Sequence, residues 1–125
     1  MATILIVEDN VDLLHVMKEV LSNEYEVLTA NRGEDAVSLA RTHRPDLVIL
    51  DLQLPAMDGI EAGRWIKQTL EPEFVPILVL TALAEEGVPE AVLASGCCDA
   101  YMSKPAPLDE IRDKVRELLG GSHRG

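Results

Sequence analysis

The sequence predicts an α/β protein in which one parallel sheet is covered by helices on both faces. Short runs of Leu, Val and Ile without polar alternation are typical of strands that are buried on both sides. Segments with apolar residues at spacings of three and four separate these runs and indicate amphipathic helices. Strict alternation of strand and helix favours right-handed crossovers onto one parallel sheet.

Length and composition limit the chain to one domain. With 125 residues it is long enough to bury roughly two thirds of its unfolded surface without covalent staples. The composition is 47% hydrophobic but includes only four aromatic residues, so the core must consist of aliphatic side chains. We expect the folded domain to span residues 1–119, and residues 120–125 to form a polar tail or the start of a linker.

Five strands are predicted, and each is bounded by residues that favour a turn or a cap. The third strand begins after Pro45, and Pro105 stops the fifth. The second strand is short and the fifth is more polar than the others. The predicted strands cover residues 3–7, 25–30, 47–50, 76–80 and 100–103.

Five helices are predicted between and after these strands. Asn10 is a favourable N-cap for the first, and Gly96 suits the left-handed position that ends the fourth. Gly63 lies inside the third helix and costs about 1 kcal/mol relative to Ala. Gly120 and Gly121 are expected to terminate the fifth. The predicted helices cover residues 10–22, 34–43, 59–70, 89–95 and 108–119.

Charge and cysteine content exclude several classes of function. Acids outnumber bases 22 to 11, and the formal charge of −11 repels nucleic acid and anionic lipid. The apolar runs are too short for a membrane span or a signal peptide, so we expect a cytoplasmic protein. Cys97 and Cys98 are adjacent, which suits reduced thiols better than a mutual disulfide. Their spacing does not match a zinc site.

Charged and hydroxyl side chains follow four of the predicted strands. Glu8, Asp9, Asp51, Thr81 and Lys104 all lie at carboxyl ends, which meet at one edge of a parallel sheet. Each has an ordinary alternative role: a helix first turn, a turn former, a cap or a surface charge. Their joint occurrence at one edge is harder to explain in that way.

Clustered carboxylates need a compensating charge. Two like charges about 5 Å apart repel by roughly 3 kcal/mol at an effective dielectric near 20, so the cluster must take up a proton or a cation. Oxygen ligands suit Mg²⁺, with Asp9 and Asp51 as direct ligands and Glu8 acting through water. The hydroxyl of Thr81 and the ammonium of Lys104 suit a phosphoryl group, and Asp51 is the candidate nucleophile that forms an acyl phosphate.

Motifs at these positions resemble the response regulator receiver domains of two-component signalling. The resemblance covers residues 3–119 and implies a flavodoxin-like (βα)5 fold with strand order 2-1-3-4-5. The matching motifs are Val7-Glu8-Asp9-Asn10, the segment 46–59 with its Pro55-x-Met57-Asp58-Gly59 turn, Thr81-Ala82 and Tyr101-x-x-Lys104-Pro105.

The resemblance also implies a function. Asp51 is expected to accept a phosphoryl group from a sensor histidine kinase or a histidine phosphotransfer protein. Mg²⁺ is expected on Asp9, Asp51 and the main-chain carbonyl of Gln53. Thr81 and Tyr101 are the expected switch residues that signal to a downstream protein or output domain, and a cis peptide is expected between Lys104 and Pro105. The domain would be a phospho-acceptor with slow self-dephosphorylation rather than an enzyme acting on a metabolite.

Three positions depart from the family pattern or could adjust it. Ala106 replaces a frequent aromatic, and the loop at residues 96–99 is one residue longer than usual. Both lie beside the face formed by the fourth helix, the fifth strand and the fifth helix, so how this face pairs with a partner is open. Leu83, two residues after Thr81, is apolar and cannot orient an attacking water. We hypothesise that it slows loss of the phosphoryl group, and that Leu83→Glu would change the phosphate lifetime.

Three other classes of protein fit the residue pattern less well. A haloacid dehalogenase-type hydrolase needs a second acid two residues after the nucleophile, where this chain has Gln53. A small flavin-binding protein needs a phosphate-binding loop where Glu8 and Asp9 would repel phosphate. A receiver-like module without phosphorylation typically lacks one of the five strand-end residues. Both a stand-alone regulator and a receiver within a longer protein remain open.

Overall fold

The computed structural model describes residues 1–55, 57–82 and 88–123, in which five strands alternate with five helices. The strands are β1 (Thr3–Val7), β2 (Glu26–Ala30), β3 (Leu47–Leu50), β4 (Ile77–Thr81) and β5 (Ala100–Ser103). The helices are α1 (Val11–Leu21), α2 (Gly33–His43), α3 (Gly59–Leu70), α4 (Val88–Ala94) and α5 (Leu108–His123). The predicted alternation is confirmed.

All five strands form one parallel sheet in the order β2-β1-β3-β4-β5. The order reverses after β1, because β2 lies on one side of it and β3 on the other. Val7 at the end of β1 is in register with both Ala30 and Leu50, and Thr81 is in register with Ser103. The carboxyl ends of the strands therefore meet at one edge, as the sequence predicted.

Two apolar layers cover the sheet. Alternate strand residues face opposite sides, so Ile4 and Ile6 pack against α1 and α5, whereas Leu5 and Val7 face α2, α3 and α4. Apart from Met17, the largest fully buried side chains are aliphatic, and Tyr25 and Tyr101 are only partly buried beside the core. Within the described residues, no helix is long and apolar enough to cross a membrane.

Local capping explains where several helices begin and end. The side chain of Asn10 accepts a hydrogen bond from the Leu13 N–H at the start of α1, and Asp58 accepts one from the Ile60 N–H at the start of α3. Gly96 follows α4 with a φ of +83°, the left-handed conformation that favours glycine.

Three glycines lie inside helices, two near the end of α5 and one within α3. The helix α5 continues through Gly120 and Gly121 to His123, so the prediction that these glycines end it was wrong. Glycine ends a helix by adopting a positive φ, whereas Gly120 keeps the helical conformation. Gly63 has a packing reason, because a Cβ there would lie 2.6 Å from the carbonyl oxygen of Cys97. The domain boundary at residue 119 stays a prediction.

Candidate functional site

Backbone hydrogen bonds extend the sheet one residue beyond its strands and fix three predicted site residues. The Glu8 N–H donates to the Ala30 carbonyl at 3.0 Å, and the Asp51 N–H donates to the Val7 carbonyl at 3.0 Å. On the other side of the site, the Lys104 N–H donates to the Thr81 carbonyl at 2.8 Å. The backbone at Glu8, Asp51 and Lys104 thus continues the hydrogen bonding of the sheet.

Three carboxylates cluster at this edge. Glu8, Asp9 and Asp51 each place an oxygen within 4.8 Å of the other two. Glu8 and Asp51 are buried, with 2% and 4% of their surface exposed, whereas Asp9 is exposed. The structure therefore brings together the three acids that the sequence placed at the ends of two neighbouring strands.

The ammonium of Lys104 lies between the two buried carboxylates. Its Nζ is 2.6 Å from Glu8 Oε1 and 3.3 Å from Asp51 Oδ2. Burial raises the pKa of Glu8, and it outweighs the opposing hydrogen bond from Lys104. Burial acts to lower the pKa of Lys104, but the hydrogen bond to Glu8 and the charge of Asp51 outweigh it, so the pKa is raised and Lys104 stays protonated.

The loop after β3 folds back on itself and orients Asp51. The Gln53 N–H donates to Asp51 Oδ1 at 3.1 Å, so Asp51 also plays the turn-forming role that its residue type suggests. Gln53 pairs with Asp58 in a short antiparallel bridge, and the Gly59 N–H donates to the Leu52 carbonyl. A Cβ at Gly59 would lie 2.3 Å from Leu52 Cα, so this closure requires glycine.

Thr81 and Tyr101 occupy neighbouring strands close to the cluster. Thr81 is fully buried at the end of β4, and Tyr101 is partly buried against the core on the side of α2, α3 and α4. Burial raises the pKa of the Tyr101 phenol. The peptide bond between Lys104 and Pro105 is cis. Leu83, for which we hypothesised an effect on phosphate lifetime, lies outside the described residues.

A largely apolar groove opens beside Lys104. It has a volume of about 460 Å³ and runs between the ends of α1 and α5. Ala106, where the resemblance implies a frequent aromatic, contributes its small side chain to the wall of this groove. The lining residues are Asn10, Leu13, Leu80, Ala82, Lys104, Pro105, Ala106 and Ile111.

Two contacts, one within the site and one at the opposite edge of the sheet, could not be predicted from the sequence. The Asn10 N–H donates to Glu8 Oε2 at 3.1 Å, although Asn10 was predicted only as a helix cap. At the opposite edge of the sheet, Lys67 pairs with Asp99 at 2.5 Å across 32 positions of sequence. Cys97 and Cys98 are free and buried, as expected for reduced thiols.

The arrangement is suited to binding a hard cation. The cluster contains three carboxylates and one ammonium, so it keeps an excess of negative charge. Carboxylate and carbonyl oxygens are the ligands that Mg²⁺ prefers. Both oxygens of Glu8 accept hydrogen bonds, from Lys104 at 2.6 Å and from the Asn10 N–H. Both oxygens of Asp51 also accept, but its contact with Lys104 is longer at 3.3 Å.

Comparison with known proteins identifies a family for this chain. Residues 4–116 match the family model described as the response regulator receiver domain. The polar-differentiation response regulator DivK of Brucella anthropi is 34% identical over 119 residues, which cover 94% of this chain and 96% of that protein.

Solved structures are similar over nearly the whole chain. A two-component response regulator from Clostridium difficile superposes with a TM-score of 0.91 at 25% identity, covering 99% of this chain and 100% of that one. The receiver domain of the sensor histidine kinase PA1611 from Pseudomonas aeruginosa PAO1 has a TM-score of 0.81 at 33% identity, covering 95% and 98%. In that structure a magnesium ion is coordinated in the active-site cleft. The fold, the strand-end cluster and these matches together place the chain in the response regulator receiver domain family of two-component signalling.

Proposed function

We propose that Asp51 accepts a phosphoryl group from a phosphohistidine on a sensor histidine kinase or a histidine phosphotransfer protein. The observation that carries the proposal is the Lys104 ammonium, which contacts Asp51 and Glu8 beside the buried Thr81. A carboxylate nucleophile next to a fixed cation and a hydroxyl is the set that phosphoryl transfer needs, because catalysis there is mostly positioning and electrostatics.

The transfer is a single displacement at phosphorus. An oxygen of Asp51 forms the new P–O bond while the P–N bond to the donor imidazole breaks. The electron pair of the P–N bond stays on the imidazole nitrogen, which takes a proton from water. The Gln53 N–H donates to one oxygen of Asp51 and orients it. The ammonium of Lys104 and the hydroxyl of Thr81 would stabilise the negative charge on the phosphoryl oxygens.

Mg²⁺ fits the acids at this edge. Asp9, Asp51 and the main-chain carbonyl of Gln53 would hold it directly, and Glu8 through water, because Glu8 makes the closer contact with Lys104. When bound, Mg²⁺ supplies charge neutralisation for the acids and for the oxygens of the transferred group. The magnesium ion in the cleft of the PA1611 receiver domain supports this assignment.

The switch is the third part of the proposal. A phosphoryl group adds about −1.5 to −2 charge, and Thr81 is the hydroxyl on the strand beside Asp51. Movement of Thr81 toward the phosphoryl group would let Tyr101, on the adjacent strand, turn further inward. The altered surface around Tyr101 would then change binding to a downstream protein or an output domain.

Incubation with acetyl phosphate tests the proposal directly. We expect the intact mass to increase by one phosphoryl group in the presence of Mg²⁺, and not when EDTA is added or when Asp51→Asn is used. Asp46→Asn is the matched control, because Asp46 is an exposed acid that hydrogen-bonds to Thr3 at the other edge of the sheet. No gain of mass in a folded wild-type protein would favour a partner-binding module that works without phosphorylation.

A further inference from the structure

Lys104 does not sit midway between its two carboxylates. Its Nζ is 0.7 Å closer to Glu8 (2.6 Å) than to Asp51 (3.3 Å). Asp51 shares one oxygen with the Gln53 N–H and leaves the other in the longer contact with Lys104. The primary partner of the ammonium is therefore Glu8 rather than the candidate nucleophile.

Glu8 is held in place at both of its oxygens. While Oε1 accepts from Lys104, Oε2 accepts from the Asn10 N–H at 3.1 Å. Asn10 is fixed in turn as the N-cap of α1, where its side chain accepts from the Leu13 N–H. Because Glu8 is also almost fully buried, its carboxylate is a fixed anchor for the ammonium.

This anchor matters for the nucleophile. A short ion pair between Lys104 and Asp51 would occupy a lone pair that attacks phosphorus, and it would have to break as the phosphoryl oxygens arrive. Glutamate is one methylene longer than aspartate, so Glu8 can reach the ammonium and draw it away from Asp51.

We propose that Glu8 is a positioning residue that holds the Lys104 ammonium beside Asp51, so that the ammonium gives up only a long 3.3 Å contact with the nucleophile when it moves to a phosphoryl oxygen. The inference rests on the proposed phosphoryl transfer. It assigns Glu8 a role in the rate of the reaction that is separate from any contribution of its charge to cation binding.

Two substitutions at Glu8 separate reach from charge. Glu8→Gln keeps the length and removes the charge, whereas Glu8→Asp keeps the charge and shortens the side chain. For Glu8→Asp we expect the maximal rate of phosphorylation by acetyl phosphate at saturating Mg²⁺ to fall about tenfold. The Mg²⁺ concentration at half-maximal rate should stay within about twofold of wild type. A wild-type maximal rate in Glu8→Asp would overturn the proposal.

A double-mutant cycle with Lys104→Met tests whether Glu8 acts through Lys104. Glu8→Gln should lower the maximal rate about tenfold when Lys104 is present, and less than about twofold when Lys104 is already replaced. An equal loss in both backgrounds would mean that Glu8 acts independently of Lys104 and would overturn the inference. Urea unfolding of all four proteins verifies that each is folded at the assay temperature.

A crystal structure of Glu8→Gln gives a readout that needs no turnover. We expect the distance from Lys104 Nζ to Asp51 Oδ2 to shorten from 3.3 Å to about 2.8 Å, the length of a close charged hydrogen bond. An unchanged distance would contradict the anchoring role. If wild-type protein accepts no phosphoryl group, the proposed function fails, whereas this distance still decides whether Glu8 positions Lys104.

Discussion

The two edges of the sheet both hold a partly buried lysine against carboxylates, but their charge balance differs. At the amino-terminal edge, Lys67 Nζ contacts Asp99 Oδ2 at 2.5 Å and donates to the Val75 carbonyl, while Asp99 also accepts from the Ile77 N–H. Here one ammonium meets one carboxylate. At the carboxyl-terminal edge, one ammonium contacts two members of a cluster of three carboxylates.

A second pair reinforces the amino-terminal edge. Arg44 follows α2, donates from its guanidinium to the Leu70 carbonyl at the end of α3, and pairs with Glu73. The Leu70 carbonyl also accepts from the Glu73 N–H, so Arg44 adds a second donor at the end of this helix. The amino-terminal edge is therefore balanced in charge. The carboxyl-terminal edge keeps repulsion between carboxylates, which a bound cation would relieve.

Removal of Lys104 should have the largest effect on stability. Lys104→Met leaves the buried carboxylates of Glu8 and Asp51 without their ammonium, and we expect a loss of about 3 kcal/mol in the free energy of unfolding. Urea unfolding at pH 7 in EDTA measures it. The loss should become smaller at lower pH as Glu8 takes up a proton, and a loss that does not depend on pH would argue against carboxylate repulsion as its cause.

Neutralising the acid at the amino-terminal edge should also destabilise the protein. Asp99→Asn removes the charge opposite Lys67 and weakens the bond to the Ile77 N–H, so we expect a loss of about 2 kcal/mol. Glu73→Gln is the control: because Glu73 is mostly exposed, we expect a change below about 0.5 kcal/mol. Similar losses in the free energy of unfolding for both variants would mean that the Lys67–Asp99 pair stabilises the protein no more than an exposed ion pair does.

The same change at the other edge should have the opposite sign. Asp51→Asn removes one of three crowded carboxylates, and the lost repulsion exceeds the long contact with Lys104. We expect the free energy of unfolding to rise by about 1 kcal/mol in EDTA. The gain should disappear in Mg²⁺, which stabilises the wild-type acids. If Asp51→Asn destabilised the domain as Asp99→Asn does, the two edges would not differ in the way described.

The grouping of site residues at the carboxyl-terminal edge could be predicted from the sequence because it follows from the parallel topology alone. In a parallel sheet, any residue that follows a strand lies at that edge, so Asp51, Thr81 and Lys104 could be grouped without knowledge of side-chain positions. The stronger pairing of Lys104 with Glu8 could not be predicted. It depends on side-chain length, rotamer and the backbone N–H of Asn10.

The amino-terminal edge shows the opposite case. Lys67 and Asp99 are separated by 32 positions, and each alone resembles an ordinary surface charge. Gly63 was predicted only as a cost to α3, because its close approach to Cys97 is a tertiary contact. The end of α5 was missed because glycine signals a helix end only when its backbone leaves the helical region, as at Gly96 but not at Gly120.

The smallest expected effect is the pH dependence that Glu8 contributes. Burial raises its pKa in the folded state above the ordinary value of 4.5, so over the interval between the two values the folded protein binds more protons than the unfolded chain. By linkage, the contribution of Glu8 to stability falls as pH rises through that interval and is constant above it. Urea unfolding in EDTA from pH 4.5 upward should show this decline in wild type and a flatter profile in Glu8→Gln. Asp99→Asn should keep the wild-type decline, because Glu8 lies at the opposite edge of the sheet. A flattened profile in Asp99→Asn would mean that Glu8 is not the group that causes the decline.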